Sequence, residues 1–158
     1  MAKVVKDIII KAPLVIERNS GLSLIIKTFR ETALDILPVV DAERHLLGVI
    51  NLDDIAKMFE PYSGPMSVLV KTMPFLDDFM EKEFSASHLK PEVAHLCIAD
   101  DIMSTNFITL SEDMTLEKAY SVMRIYKANL ACVVNEGYLA GMARLVDIIV
   151  GLFQEQGI

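Results

Sequence analysis

Apolar and polar positions alternate along this chain in two rhythms, and the whole alternation is played twice. From Leu14 to Ile16 a short apolar run has strand character. Leu22, Ile25, Ile26, Phe29 and Ala33 then recur at helical spacing, with Asn19 or Ser20 as candidate N-cap. Two strands, about Leu37 to Val40 and Leu46 to Ile50, are joined by a polar turn, and a last helix is expected from Asp53 to Phe59. The second round repeats the order. A strand is expected from Ile108 to Leu110, and a helix through Leu116, Ala119, Tyr120 and Met123, capped by Asp113 or Thr115. Strands follow at about Leu130 to Val134 and Leu139 to Ala143, then a helix from Val146 to about Gln154. The turn Asn135-Glu136-Gly137 carries hairpin chemistry. Strand–helix–strand–strand–helix, twice, is an α/β pattern.

The two rounds match in register. Asp7-Ile8 returns as Asp101-Ile102, Leu22 as Leu116 and Val39-Val40 as Val133-Val134, each 94 positions later. Gly48 returns as Gly141, 93 positions later, so one residue is lost in the turn around Ala42 to His45. This is an internal duplication. In both copies a glycine ends a short apolar run and an aspartate follows six positions on, Asp54 and Asp147, in the first turn of a helix. Glycine permits a tight turn or a close approach by another group. A helix N-terminus offers free N–H groups. The expected division is a first repeat over 1–59, an insert over 60–98 and a second repeat over 99–158. The insert, broken early by Pro61, Gly64, Pro65 and Pro74, is expected to hold an amphipathic helix from Phe75 to Phe84.

Composition narrows the function. Across 158 residues, 53% are hydrophobic and the mean hydropathy is +0.40, more apolar surface than one small core buries, so self-association or a parent protein is expected. A net charge of −7 argues against nucleic acid as the main partner. No apolar run approaches the roughly 18 residues of a membrane span, and Met1 to Val4 shows no signal-peptide core. Two cysteines make no disulfide framework, so a reducing, cytoplasmic setting is expected.

Candidate reactive chemistry is sparse. His88, His95 and Cys97 lack the paired spacing of a zinc site, and no metal is expected. There is no nucleophile–histidine–acid order and no glycine-rich phosphate loop, so no catalytic residue is assigned. Met103, Met114, Met123 and Met142 suit the core of the second copy; Met58, Met66, Met73 and Met80 cluster in and beside the insert.

Taken in order, "VKDIII", "LSLIIKTF", "LPVVD" and "LLGVINLDDI", then "ADDIMS", "TLEKAYSVM", "CVVNEG" and "LAGMARLVDI", the chain resembles the tandem CBS-domain pair, or Bateman module. The phrase "LLGVINLDDI" is also similar to the first CBS motif in the tails of chloride-channel-type transporters. The resemblance implies two pseudo-symmetric β-α-β-β-α repeats packed through their sheets around a pseudo-twofold axis, leaving two clefts. It further implies adenosine ligands in those clefts: AMP, ADP, ATP or S-adenosylmethionine, as regulators and not as cofactors of a reaction. Carried over, Asp54 and Asp147 would hold ribose hydroxyls. Ala12, Pro13, Leu37 and Pro38 would wall the adenine in one cleft, and Thr105, Asn106, Phe107, Ala131 and Cys132 in the other. Asn51 and Arg144 stand where the family carries Ser or Thr. Asn51 can still donate and accept; Arg144 could clamp a phosphate or fill the cleft.

The expectation is a non-enzymatic, cytoplasmic, homodimeric regulator that binds an adenosine-type small molecule and signals to an effector. The alternative is a ligand-free CBS scaffold for dimerisation or docking, such as the cytoplasmic regulatory part of an ion transporter.

Overall fold

The computed structural model of the chain describes residues 2–58 and 96–158. The expected Phe75-to-Phe84 helix, His88, His95 and most of the insert lie outside the described residues. In chain order the elements are β1 (Ile10–Lys11), β2 (Ile16–Glu17), α1 (Leu22–Thr32), β3 (Ile36–Val40), β4 (Leu46–Asn51) and α2 (Leu52–Lys57). After the insert come α3 (Ala99–Ile102), β5 (Thr109–Ser111), α4 (Leu116–Ile125), β6 (Leu130–Asn135), β7 (Tyr138–Arg144) and α5 (Leu145–Glu155). A 3-10 turn, Val5–Asp7, precedes β1. Among the described residues no helix is long and apolar enough to cross a membrane.

The doubled α/β reading holds, and several elements have their cause in the local sequence. In β6 the side chains alternate. Ala131 and Val133 face a core under α4 and α5, while Leu130 and Cys132 face the opposite sheet. The turn after β6 has two central residues at positive φ, Glu136 at 50° and Gly137 at 85°, the twist a two-residue hairpin requires. Helix α4 is capped by Thr115, whose side chain accepts from the Lys118 amide. Helix α1 departs from expectation: its N-cap is Gly21, not Asn19 or Ser20, and no side chain caps it. The first strands are also displaced, to Ile16–Glu17 and Thr109–Ser111, because pairing with β3 and β6 sets their limits.

Two sheets result. One has the order β2-β3-β4; the other has the order β1-β7-β6-β5, and so takes its edge strand from the first repeat. β1 runs antiparallel to β7, pairing Ile10 with Met142 and Lys11 with Gly141. The second repeat reciprocates with a single bridge, Val49 to Ser104, whose two backbone hydrogen bonds are 3.0 and 2.7 Å. The exchange extends into the cores. Val5, Ile8 and Ile9 pack with Leu116, Met123 and Ile148, whereas Ala99, Ile102 and Met103 pack with Ile16, Ile25 and Ile50. A third cluster, including Val40, Val49, Cys132 and Met142, fills the space between the sheets.

The repeated glycines are the crossing points. A Cβ on Gly141 would stand 2.5 Å from the Ile10 carbonyl oxygen; one on Gly48 would stand 2.8 Å from Met103 Sδ and 2.9 Å from the Ser104 carbonyl oxygen. Close approach, and not a turn, is what these two positions require.

Candidate functional site

The strand crossing builds the site. Once Ser104 is paired with Val49, the residues that follow it run alongside the end of β4. The Ser104 hydroxyl accepts from the Asn106 amide and donates to the Asn106 carbonyl, both at 3.3 Å, which turns the chain there. Between β4 of the first repeat and β5, β6 and α4 of the second lies a cleft of about 680 Å³. Its volume lies within the usual range for small-molecule sites. Asn51, Ile36 and Val49 form one wall; Asn106, Phe107, Ala131, Cys132 and Tyr126 form the other. A second hollow of about 510 Å³ shares Ile36, Asn51, Ala128 and Leu130 with it and continues to Asp35, Asp53, Lys127 and Asn129. The pair makes a groove with an apolar end and a polar end.

Asp54 stands at the third position of α2; it lines neither hollow, and its link to the cleft is a hydrogen bond from Asn51. The Asn51 amide donates to Asp54 Oδ2 at 3.1 Å, and Lys57 Nζ lies 3.7 Å from Oδ1 and 2.9 Å from Asp53. Asp54 itself is partly buried, with 42% of its side chain exposed. One oxygen is thus held by a neutral donor and the other faces a more distant cation, donors that a ligand hydroxyl can displace.

The corresponding position at α5 is held differently. Arg144 is the N-cap residue and Asp147 the third helical residue. Arg144 donates through Nε to Asp147 Oδ2 at 2.6 Å and through Nη2 to Oδ1 at 2.9 Å. That fork pushes the guanidinium pKa upward, the hydrogen bond to Asp147 being the main cause and its charge the next. Of the residues assigned to the other adenine wall, Ala12 is exposed with φ 48°, and Pro13 is buried. Leu37 is fully buried in the core with Ile25 and Phe29, and Pro38 is buried opposite Val49. Thr105 is exposed, next to Asn106.

Cys132 is a wall and not a reagent: burial pushes its thiol pKa up to about 12, so it stays protonated. Asp41, Glu43 and His45 bring their ligand atoms within 4.8 Å of one another. Asp41 is already engaged there, accepting from the amides of Glu43 and His45 at 2.9 and 2.8 Å, with His45 Nδ1 2.9 Å away. The His45 ring stacks on Tyr138 of the second repeat at 4.3 Å.

Sequence reasoning missed Ile36, Val122 and Tyr126 as lining residues. Ile36 could have been found from the duplication, since it corresponds to Leu130, beside the assigned Ala131. Tyr126 caps the end of α4 at a position the first repeat fills with Thr32, so the repeat gave no signal for it.

The CBS domain family matches this chain over residues 5–60 and again over 98–153. An uncharacterised protein of Methanocaldococcus jannaschii, MJ1426, is 28% identical over 162 residues, covering 94% of this chain and 90% of that one. The crystal structure of CBSX2 in complex with AMP is similar in fold, with a TM-score of 0.67 and 18% identity, covering 97% of this chain and 98% of that one. The CBS domain of a bacterial CNNM/CorC-family Mg2+ transporter in complex with ATP gives 0.65 and 19%, covering 96% and 87%. With both repeats matched and the doubled fold in place, this chain belongs to the CBS domain family and carries two CBS domains in tandem.

Proposed function

We propose that this chain is a regulatory, non-catalytic module that binds an adenosine-containing ligand, AMP, ADP, ATP or S-adenosylmethionine, in the cleft between Asn51 and Phe107. The observation that carries the reading is the cleft of about 680 Å³ with one wall from each repeat. Phe107 and Tyr126 offer aromatic surface for a base. The Asp54 carboxylate, with one oxygen on the Asn51 amide, offers acceptors for ribose hydroxyls. AMP and ATP are held by two proteins of similar fold, which supports the ligand class.

A ligand that touches both walls favours the angle between repeats at which both contacts are made. It shifts that angle only by as much as it prefers one arrangement. An associated effector, on the cytoplasmic side of a membrane in the transporter case, would read the shift. Isothermal titration with AMP, ADP, ATP and S-adenosylmethionine tests the reading. Saturable heat with one of them, lost in Asp54→Ala, is expected; flat traces to millimolar ligand, unchanged by Asp54→Ala, would retire it.

A second reading, a ligand-free scaffold that dimerises or docks, is favoured by exposed Val146, Val150 and Phe153 on α5, with Phe153 beside Tyr120 of α4. Light scattering on Val150→Asp with Phe153→Asp tests that face. A halved mass would place a homodimer contact on α5, and an unchanged mass would remove that face from consideration.

A further inference from the structure

The two repeats carry the same backbone at the helix that follows the glycine strand, but different side chains on it. We propose that Arg144 is a built-in stopper: it closes the counterpart of the open cleft, so that the chain takes an adenosine ligand on one side only. This rests on the adenosine reading of the first cleft, which it extends to stoichiometry and to the residue that sets it.

Three observations carry it. First, Asn51 gives a single N–H to a single oxygen of Asp54, at 3.1 Å, whereas Arg144 gives two N–H groups to both oxygens of Asp147, at 2.6 and 2.9 Å. A carboxylate held in a charged fork has its best acceptor directions filled, and a neutral diol is a weaker donor than the cation it would displace. Second, one position beside it carries a larger side chain, although Thr32 stands where the open cleft has Tyr126. Leu34 stands where the open cleft has Ala128, and Leu34 and Val15 pack against the cluster between the sheets. Pro13 is buried where Phe107 is only half-buried. Third, the Arg144 side chain is itself 50% exposed. The fork to Asp147, and not burial, holds it in place, and replacing it removes an obstruction without opening the core.

The test is AMP stoichiometry by isothermal titration on the full chain, in the wild type, in Arg144→Asn and in Arg144→Asn with Leu34→Ala, with thermal melts to establish that each variant is folded. The expected result is one additional AMP per chain in at least one variant, abolished when Asp147→Asn is added. An unchanged count in both variants overturns the proposal. So does a loss of AMP on Arg144→Asn alone, which would make Arg144 a phosphate clamp. A wild type that binds no AMP counts against the first cleft as an AMP site; a rise from none to one in the variants would still support the stopper, and no rise would overturn it.

Discussion

Asn51 ends β4 and Arg144 ends β7, and each is the residue from which a helix starts with an aspartate in its first turn. Around the first lies an open groove walled by Phe107 and Tyr126; around the second the aspartate is already forked by its neighbour. The comparison teaches that a duplication keeps the scaffold of a site more readily than the side chains on it. The backbone position, glycine crossing and helix start recur in both halves. A change of one side chain from a neutral amide to a guanidinium is enough to alter what the aspartate can do.

The widest difference between the halves is expected at the crossings. Gly141→Ala drives a Cβ into the Ile10 carbonyl, a backbone atom inside a paired strand. It should cost about 3 kcal/mol, the upper end of usual overpacking penalties. Gly48→Ala meets the movable Met103 side chain and a strand held by one bridge, and should cost about 1–2 kcal/mol. Urea midpoints at constant slope measure both. Equal losses would mean the Ser104 crossing is as rigid as β1.

The walls come next. Phe107→Ala should weaken AMP binding about 3- to 10-fold, since an aromatic contact contributes roughly 0.5–1.5 kcal/mol. Pro13→Ala, its counterpart, should leave AMP affinity unchanged. Comparable effects by titration calorimetry would place ligand in both halves and dissolve the asymmetry.

Smaller still is the capping difference. Thr115→Ala should cost about 1 kcal/mol by removing the acceptor for the Lys118 amide. Gly21→Ser should add a few tenths of a kcal/mol, because a Cβ there meets nothing within 4 Å and the helix has no side-chain cap. Denaturant melts of the pair test whether the two helix starts are interchangeable.

The least effect is expected at the hairpin turns. Burial alone would raise the Asp41 pKa, but hydrogen bonds from the His45 amide and ring and the Glu43 amide outweigh it, and the net shift is downward. A carboxyl whose folded pKa is depressed contributes stability above its unfolded pKa, and that contribution disappears as pH falls through the folded value. The second repeat has Asn135 at this position, bonded to Glu112. Asp41→Asn should therefore lower stability slightly at neutral pH and flatten the acid limb, the gap between the two proteins closing as pH falls through the depressed folded value. A midpoint series from pH 7 to pH 3 that is parallel for both proteins would remove Asp41 from the account.

Much of the fold was legible because its signals are local or repeated. The α1 stripe, the β6 alternation and the Glu136-Gly137 turn each follow from a few adjacent residues. The exchange of leading segments was not legible. β1 spans only Ile10–Lys11, too short to show a period, and its partner lies at the far end of the sequence. Gly21 as N-cap was obscured by two better capping residues just before it, which the bridge from Gly21 to Ile98 leaves outside the helix. Asn51, Asn106, Phe107, Ala131 and Cys132 do gather in one cleft, but Tyr126 has no counterpart to point to it. The fork between Arg144 and Asp147 depends on side-chain geometry that spacing alone leaves open between clamp and filler.

Strand β1 emerges during synthesis long before the β7 it must join. Residue 10 therefore waits, unpaired, for residue 142, and so long a wait favours slow assembly and exposes an apolar edge to strangers. Neither half is a self-sufficient unit, for each closes its core with the other's opening segment. A cut anywhere in the stretch between them should leave two fragments that complement each other, and neither of which stands alone.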